Sequence, residues 1–168
     1  SANAARAAEL SGVPCWALRR PGWQAGGGDD WREVADWAAL SAALEPFQRP
    51  LFTLGREPLA HLQAIPLHQH WTVRCLDDYP GTPRARVIGA RGPFNLAAER
   101  ALFAAGQFDV LISKNSGSSA TEPKLQVARE LGLPVLLLAR PPLPAVDRQF
   151  SAVEEVWSAL QALPGRLG

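Results

Sequence analysis

The feature that most restricts this chain is a series of short apolar runs bounded by turn residues, at positions 51–54, 110–112 and 135–139. Strands that are apolar at successive positions, as in Val135-Leu136-Leu137-Leu138, leave no side for water and must be covered on both faces. Helical spacing lies between them. Leu96, Glu99, Arg100, Leu102 and Phe103 suit a helix with one apolar stripe that closes at Gly106, and Leu125, Val127, Ala128 and Leu131 suit another that stops at Gly132 and Pro134. Alternating strands and helices with continuous apolar strands predict an α/β fold, with parallel sheets covered by helices.

The same reading extends toward both ends. Residues 2–10 are Ala-rich and helical, and Gly12 with Pro14 ends that helix. A strand follows over 13–18, then a glycine-rich loop over 20–30, a short strand over 31–34, and a helix N-capped by Asp36 that runs toward Leu44 and stops at Pro46. Residues 56–62 predict a helical turn or two. Residues 70–76 alternate in period two, with Trp71, Val73 and Cys75 on one side and Thr72, Arg74 and Leu76 on the other, entered by a loop that suits an edge strand. Residues 77–83 form a turn cluster before a strand at 85–90. Pro141, Pro142 and Pro144 predict a stiff connector, and 151–160 a final amphipathic helix. A hinge over 46–50 divides the chain into residues 1–48, the remainder of an N-terminal α/β lobe, and residues 49–168, a C-terminal one.

Composition narrows the function classes. Seventeen Lys and Arg against sixteen Asp and Glu leave a net charge of +1, too little for the phosphate-neutralising field on which nucleic-acid binding depends. No stretch approaches the roughly 20 continuous apolar residues of a membrane span. Cys15 and Cys75 are far apart and lack the paired spacing of a zinc site, so both read as reduced core thiols. No basic-then-apolar leader is present, and the expected compartment is a bacterial cytoplasm. Met is absent, and the first residues read as the middle of a helix, so a further segment is expected upstream of Ser1.

In open α/β sheets, ligands sit beyond the C-terminal ends of the strands. Three loops have that position. The first is Ser113-Lys114-Asn115-Ser116-Gly117-Ser118-Ser119-Ala120-Thr121, where small residues let an anion approach the backbone, hydroxyls add donors and Lys114 adds a positive charge. The same residues also suit an N-capped helix after a polar turn. The second is Gly55-Arg56, a tight turn with a guanidinium able to clamp a carboxylate or phosphate, or a plain turn with a solvated arginine. The third is Arg91-Gly92-Pro93-Phe94, an arginine ahead of a rigid turn that opens a helix. His61, His68 and His70 lack a completing carboxylate or cysteine, so no metal site is assigned. The six tryptophans read as packing residues. No Ser-His-Asp set or carboxylate pair can be built from spacing, and the catalytic residues stay unknown.

Ala2-Asn3-Ala4-Ala5, Arg20-Pro21, Thr53-Leu54-Gly55-Arg56, Ala90-Arg91-Gly92-Pro93-Phe94, Ser113-Lys114-Asn115-Ser116-Gly117 with Thr121 and Lys124, and Leu133-Pro134 with Arg140-Pro141 together resemble the precorrin-6A reductase family in order and spacing. The resemblance covers nearly the whole chain. It implies two Rossmann-like lobes with a cleft between them, the N-terminal lobe incomplete here because the family's first strand and glycine-rich turn have no counterpart. It implies NADPH as cofactor and reduction of precorrin-6A to precorrin-6B, or of the cobalt-containing equivalent, in corrin-ring biosynthesis. Gly55, Arg56, Lys114, Asn115, Ser116, Gly117, Ser118 and Thr121 would hold the cofactor, and Arg91 and Lys124 the tetrapyrrole. The family has a second glycine where this chain has Ser118. The rival readings are another α/β enzyme that binds a phosphorylated ligand such as a nucleotide sugar, and a nonenzymatic ligand-binding domain. Oligomeric state is not legible.

Overall fold

The computed structural model describes residues 2–140 and 145–163. In chain order the elements are α1 (Ala2–Ser11), β1 (Trp16–Leu18), β2 (Trp31–Val34), α2 (Trp37–Ala43), β3 (Pro50–Thr53), a 3-10 helix (Glu57–Ala64), β4 (Trp71–Cys75), β5 (Ala85–Gly89), α3 (Leu96–Gly106), β6 (Val110–Lys114), a 3-10 turn (Ser119–Thr121), α4 (Pro123–Glu130), β7 (Val135–Leu138), β8 (Arg148–Phe150) and α5 (Val153–Gln161). They form two compact units, residues 23–139 and residues 1–22 with 140–168.

The larger unit is built on a six-stranded parallel sheet in the order β2-β7-β6-β3-β4-β5. Successive side chains of a strand point to opposite faces, and each face has its own core. Phe52, Val73, Ile112 and Leu136 turn to the face covered by α2, where they meet Leu40 and Leu44. Leu51, Leu111, Val135 and Leu137 turn to the other and pack against Phe103 of α3 and Leu125, Val127 and Ala128 of α4. The apolar runs in the sequence are this two-sided burial. Asp36 caps α2 by accepting from the Ala39 N–H at 2.8 Å. Asn95 caps α3 in the same way, from Ala98 at 2.8 Å.

In the smaller unit β1 and β8 form a parallel pair, with Trp16 against Phe150 at 5.4 Å and the Arg148 guanidinium 5.0 Å from the Trp16 ring. Helix α5 leaves Val153, Trp157 and Leu160 exposed. No helix among the described residues is long and apolar enough to cross a membrane.

Several expectations shift. The division expected between residues 48 and 49 is replaced by divisions at 22/23 and 139/140. The reason is hydrogen bonding: β2 runs along β7 from Trp31↔Val135 to Val34↔Leu138, which binds residues 23–48 into the large sheet. The strand expected over 70–76 is not an edge. β4 lies between β3 and β5 and is buried at all five positions, so its alternation separates two covered faces rather than core from water. The segment after Gly55 is a 3-10 helix, and β8 had no sequence signal because Arg148-Gln149-Phe150 offers one apolar side chain. Cys75 is buried, its Sγ 3.1 Å from the Asp77 carbonyl, whereas Cys15 is half-buried. His68 Nε2 lies 2.9 Å from the Glu45 carbonyl, and His61 stacks on Trp37 at 3.9 Å. The proline connector at 141–144 lies outside the described residues.

The side chain of Leu111 is fully enclosed, whereas Leu131 is 56% exposed. Leu111→Ala is expected to lower the unfolding free energy by about 2 to 5 kcal/mol through lost transfer energy and a residual cavity. Leu131→Ala should stay within about 0.5 kcal/mol. Urea denaturation of the two variants checks the contrast.

Candidate functional site

The strand order locates the site. From β3 the chain moves outward through β4 to β5, and α3 then carries it back to β6 on the opposite side of β3. The segments leaving β3 and β6 therefore part in opposite directions, which opens a crevice beyond the carboxyl ends of these two neighbours. Thr53 and Ser113 are paired there, and Thr53 Oγ1 donates to the Ile112 carbonyl at 2.7 Å. Beyond them stand Gly55-Arg56 on one side and residues 114–121 on the other.

The two loops are linked by charge. Lys114 Nζ lies 3.5 Å from Glu57 Oε2, with both side chains well exposed, so this pair guides the ammonium without immobilising it. Gly55 has φ +75 and Gly117 φ +64, the left-handed region in which a side chain is strained. Within the second loop Ser116 Oγ is 3.4 Å from Thr121 Oγ1 and accepts from the Ser118 N–H at 3.3 Å, while the Thr121 N–H donates to the Ser118 carbonyl at 3.1 Å. These bonds curl the loop into the 3-10 turn that precedes α4. Asn115 holds the chain segment ahead of β2: its Oδ1 accepts from the Trp23 N–H at 2.6 Å and its Nδ2 donates to the Trp23 carbonyl at 3.1 Å. The Arg56 guanidinium rests 5.0 Å from the ring of Tyr79, on the loop after β4.

Beneath these loops lies a buried group of charges. Arg74 of β4, Glu99 of α3 and Lys124 of α4 are 6%, 1% and 5% exposed. Arg74 donates to Glu99 Oε1 at 2.5 Å, and Glu99 Oε2 has no hydrogen-bond partner among the described residues. The Arg74 guanidinium is covered by the Phe94 ring at 4.0 Å, and the Phe94 N–H donates to the Ala120 carbonyl at 3.0 Å, so the loops after β5 and β6 meet above it. Lys124 Nζ lies 5.9 Å from the centre of the Trp23 ring. Burial, and then the positive charge of Arg74, push the Lys124 ammonium down to about 7, against a smaller opposing effect of Glu99.

Residues 1–161 match the family described as Precorrin-6x reductase CbiJ/CobK. The chain belongs to the CbiJ/CobK precorrin-6x reductase family. Its relatives include a precorrin-6A reductase of Rhodococcus erythropolis, 41% identical over an alignment of 148 residues, with 84% of this chain and 58% of the relative covered. Another, from Rhodobacter capsulatus, is 39% identical over 151 residues, 88% of this chain and 60% of the relative. The chain thus spans well under two thirds of the length of these two relatives. A solved structure of CobK precorrin-6A reductase superimposes with a TM-score of 0.84 at 36% identity, covering 96% of this chain and 65% of that one.

Set on this CbiJ/CobK fold, the residues singled out in the sequence fall into three groups. Gly55, Arg56, Lys114, Ser116, Gly117, Ser118 and Thr121 lie on the two loops at the β3–β6 crevice. Asn115 is there too, with its amide engaged by Trp23. Arg91 is exposed, on the loop after β5. Lys124, expected on a ligand-facing surface, is instead buried, because the first turn of α4 directs it between the Trp23 ring and the Arg74–Glu99 pair. Sequence reasoning missed Trp23 and the Arg74–Glu99 pair. The available signals were a carboxylate inside the apolar stripe of α3 and an arginine between Val73 and Cys75.

Glu99→Ala leaves Arg74 buried without its counter-charge, and a loss of about 3 to 5 kcal/mol in unfolding free energy is expected. The double variant Arg74→Met, Glu99→Leu should lose less than Glu99→Ala alone, since both charges leave together. Chemical denaturation of the single and double variants measures the difference.

Proposed function

We propose that this protein takes part in the NADPH-dependent reduction of precorrin-6A to precorrin-6B, or of the cobalt-containing equivalent, in corrin-ring biosynthesis, a reaction of the bacterial cytoplasm. The observation that carries this reading is the pair of small-residue, positively charged loops at the β3–β6 crevice of a CbiJ/CobK family fold. NADPH, when bound, supplies the hydride. The tasks left to the protein are to neutralise anions, position the two reactants and keep water from the reacting face.

The donor set fits a phosphorylated cofactor. Gly55 and Gly117 adopt left-handed backbone that permits close approach, the Ser116 and Thr121 hydroxyls face one another across the loop, and Lys114 is 53% exposed in a solvated pair with Glu57. Arg56, stacked on Tyr79, stands on the opposite side as a second cation. Asn115 acts by positioning: its amide clasps the Trp23 backbone and so fixes the start of the loop. Arg91, exposed beyond β5, suits a carboxylate of the tetrapyrrole. Lys124 acts from beneath the loop.

Lys114→Ala removes a charge-assisted contact to phosphate, and NADPH binding is expected to weaken about tenfold, or about 1.4 kcal/mol. Fluorescence titration with NADPH and with precorrin-6A checks it. Unchanged affinity for both would remove Lys114 from the site. Tight binding of a nucleotide sugar, with no NADPH oxidised in the presence of precorrin-6A, would overturn the reading as a whole.

A further inference from the structure

This chain contains two lysines, and they occupy opposite situations on one loop-and-helix unit: Lys114 opens the loop after β6 and is 53% exposed, and Lys124 lies in the first turn of the helix that ends it and is 5% exposed. A buried ammonium needs a counter-charge, because desolvation penalises its charged form. Among the described residues none lies within ion-pair distance. The charged groups that face Lys124 are Arg74 from β4 and Glu99 from α3, and Glu99 already gives one oxygen to Arg74; the segment ahead of β2 contributes the neutral Trp23 ring.

With Lys124 protonated, the cluster holds two cations and one anion, an excess of one positive charge under two loops that meet through the Phe94–Ala120 hydrogen bond. With Lys124 neutral, the cluster is balanced. An anion held above it supplies the charge that the protonated state lacks.

We propose that the Arg74–Glu99–Lys124 cluster couples capture of an oxyanion at the 113–121 loop to uptake of one proton from solvent by the Lys124 amine. The coupling rests on the anion site argued above and adds to it a charge that forms on binding. In the free protein the amine is mostly neutral at pH 8, since its ordinary value has been pushed down to about 7. A bound oxyanion favours the ammonium and raises that value, so binding at pH 8 takes up a proton, whereas at pH 6 the proton is already in place and none is taken up. Affinity therefore falls as pH rises above 7, by up to about tenfold per pH unit. A ligand phosphate, with its second ionisation near pH 6, is already charged over this range and does not produce the trend.

Two measurements test the inference on this protein. In the first, ¹³C-lysine NMR follows the side-chain signals through pH, with Lys114→Arg used for assignment. Lys124 should titrate near neutrality in the free protein and at least one pH unit higher with NADP⁺ or precorrin-6A bound. A shift with NADP⁺ alone assigns the oxyanion to the cofactor phosphate, and one with precorrin-6A alone assigns it to a tetrapyrrole carboxylate. In the second, calorimetry at pH 8 in buffers of different ionisation enthalpy counts protons. Uptake of about 0.4 proton or more is expected for the natural protein and none for Lys124→Met.

A Lys124 midpoint in the ordinary lysine range in the free protein overturns the inference without any ligand being needed. Binding of NADP⁺ and precorrin-6A with no proton uptake overturns it while leaving the proposed function standing. Failure of both to bind overturns the two together.

Discussion

β6 is hydrogen-bonded to a neighbour on each edge and covered on both faces, and this enclosure organises the larger unit. A parallel strand so placed can be reached only by a crossover, so the chain must leave β3, build β4 and β5, and return through α3. The return creates the point at which the segments after β3 and β6 diverge. The candidate site is thus a consequence of sheet topology: Gly55-Arg56 and residues 114–121 face a common crevice because their strands are neighbours.

The buried charges show how this unit departs from an apolar core. A desolvated arginine–glutamate pair is weak evidence for stability, since well-packed apolar residues of similar volume often serve as well or better. Here it stands at the carboxyl end of the sheet with a third charged residue beside it, and its roof is Phe94 and Ala120 from the loops after β5 and β6. That placement favours a role in the chemistry above. It also separates the two lysines: Lys114 stands in water beside Glu57, whereas Lys124 is desolvated, which pushes its ammonium down to about 7.

Membership in the CbiJ/CobK family rests on a match along residues 1–161, while the chain spans about three fifths of the length of the two bacterial relatives named above. The larger unit accounts for its own core. The smaller one carries a two-stranded sheet and a helix with an exposed apolar side.

Much of the architecture was legible in the sequence because burial on both sides can leave a strand continuously apolar, as at 135–138, and because caps such as Asp36 and stops such as Gly132 act locally. The position of the candidate loops was legible for a related reason: glycine and small hydroxyl residues mark the chain where an apolar strand ends and a turn begins. What tertiary structure alone decided depends on partners distant in the chain. β2 belongs to the large sheet only because it meets β7, over a hundred residues later. Period two puts Thr72 and Arg74 on one side of β4 without saying what covers it, and only the tertiary structure buries that side as well. Lys124 carries the same residue name as Lys114, yet its environment, set by Trp23, Arg74 and Glu99 from three separate segments, makes it a different chemical group.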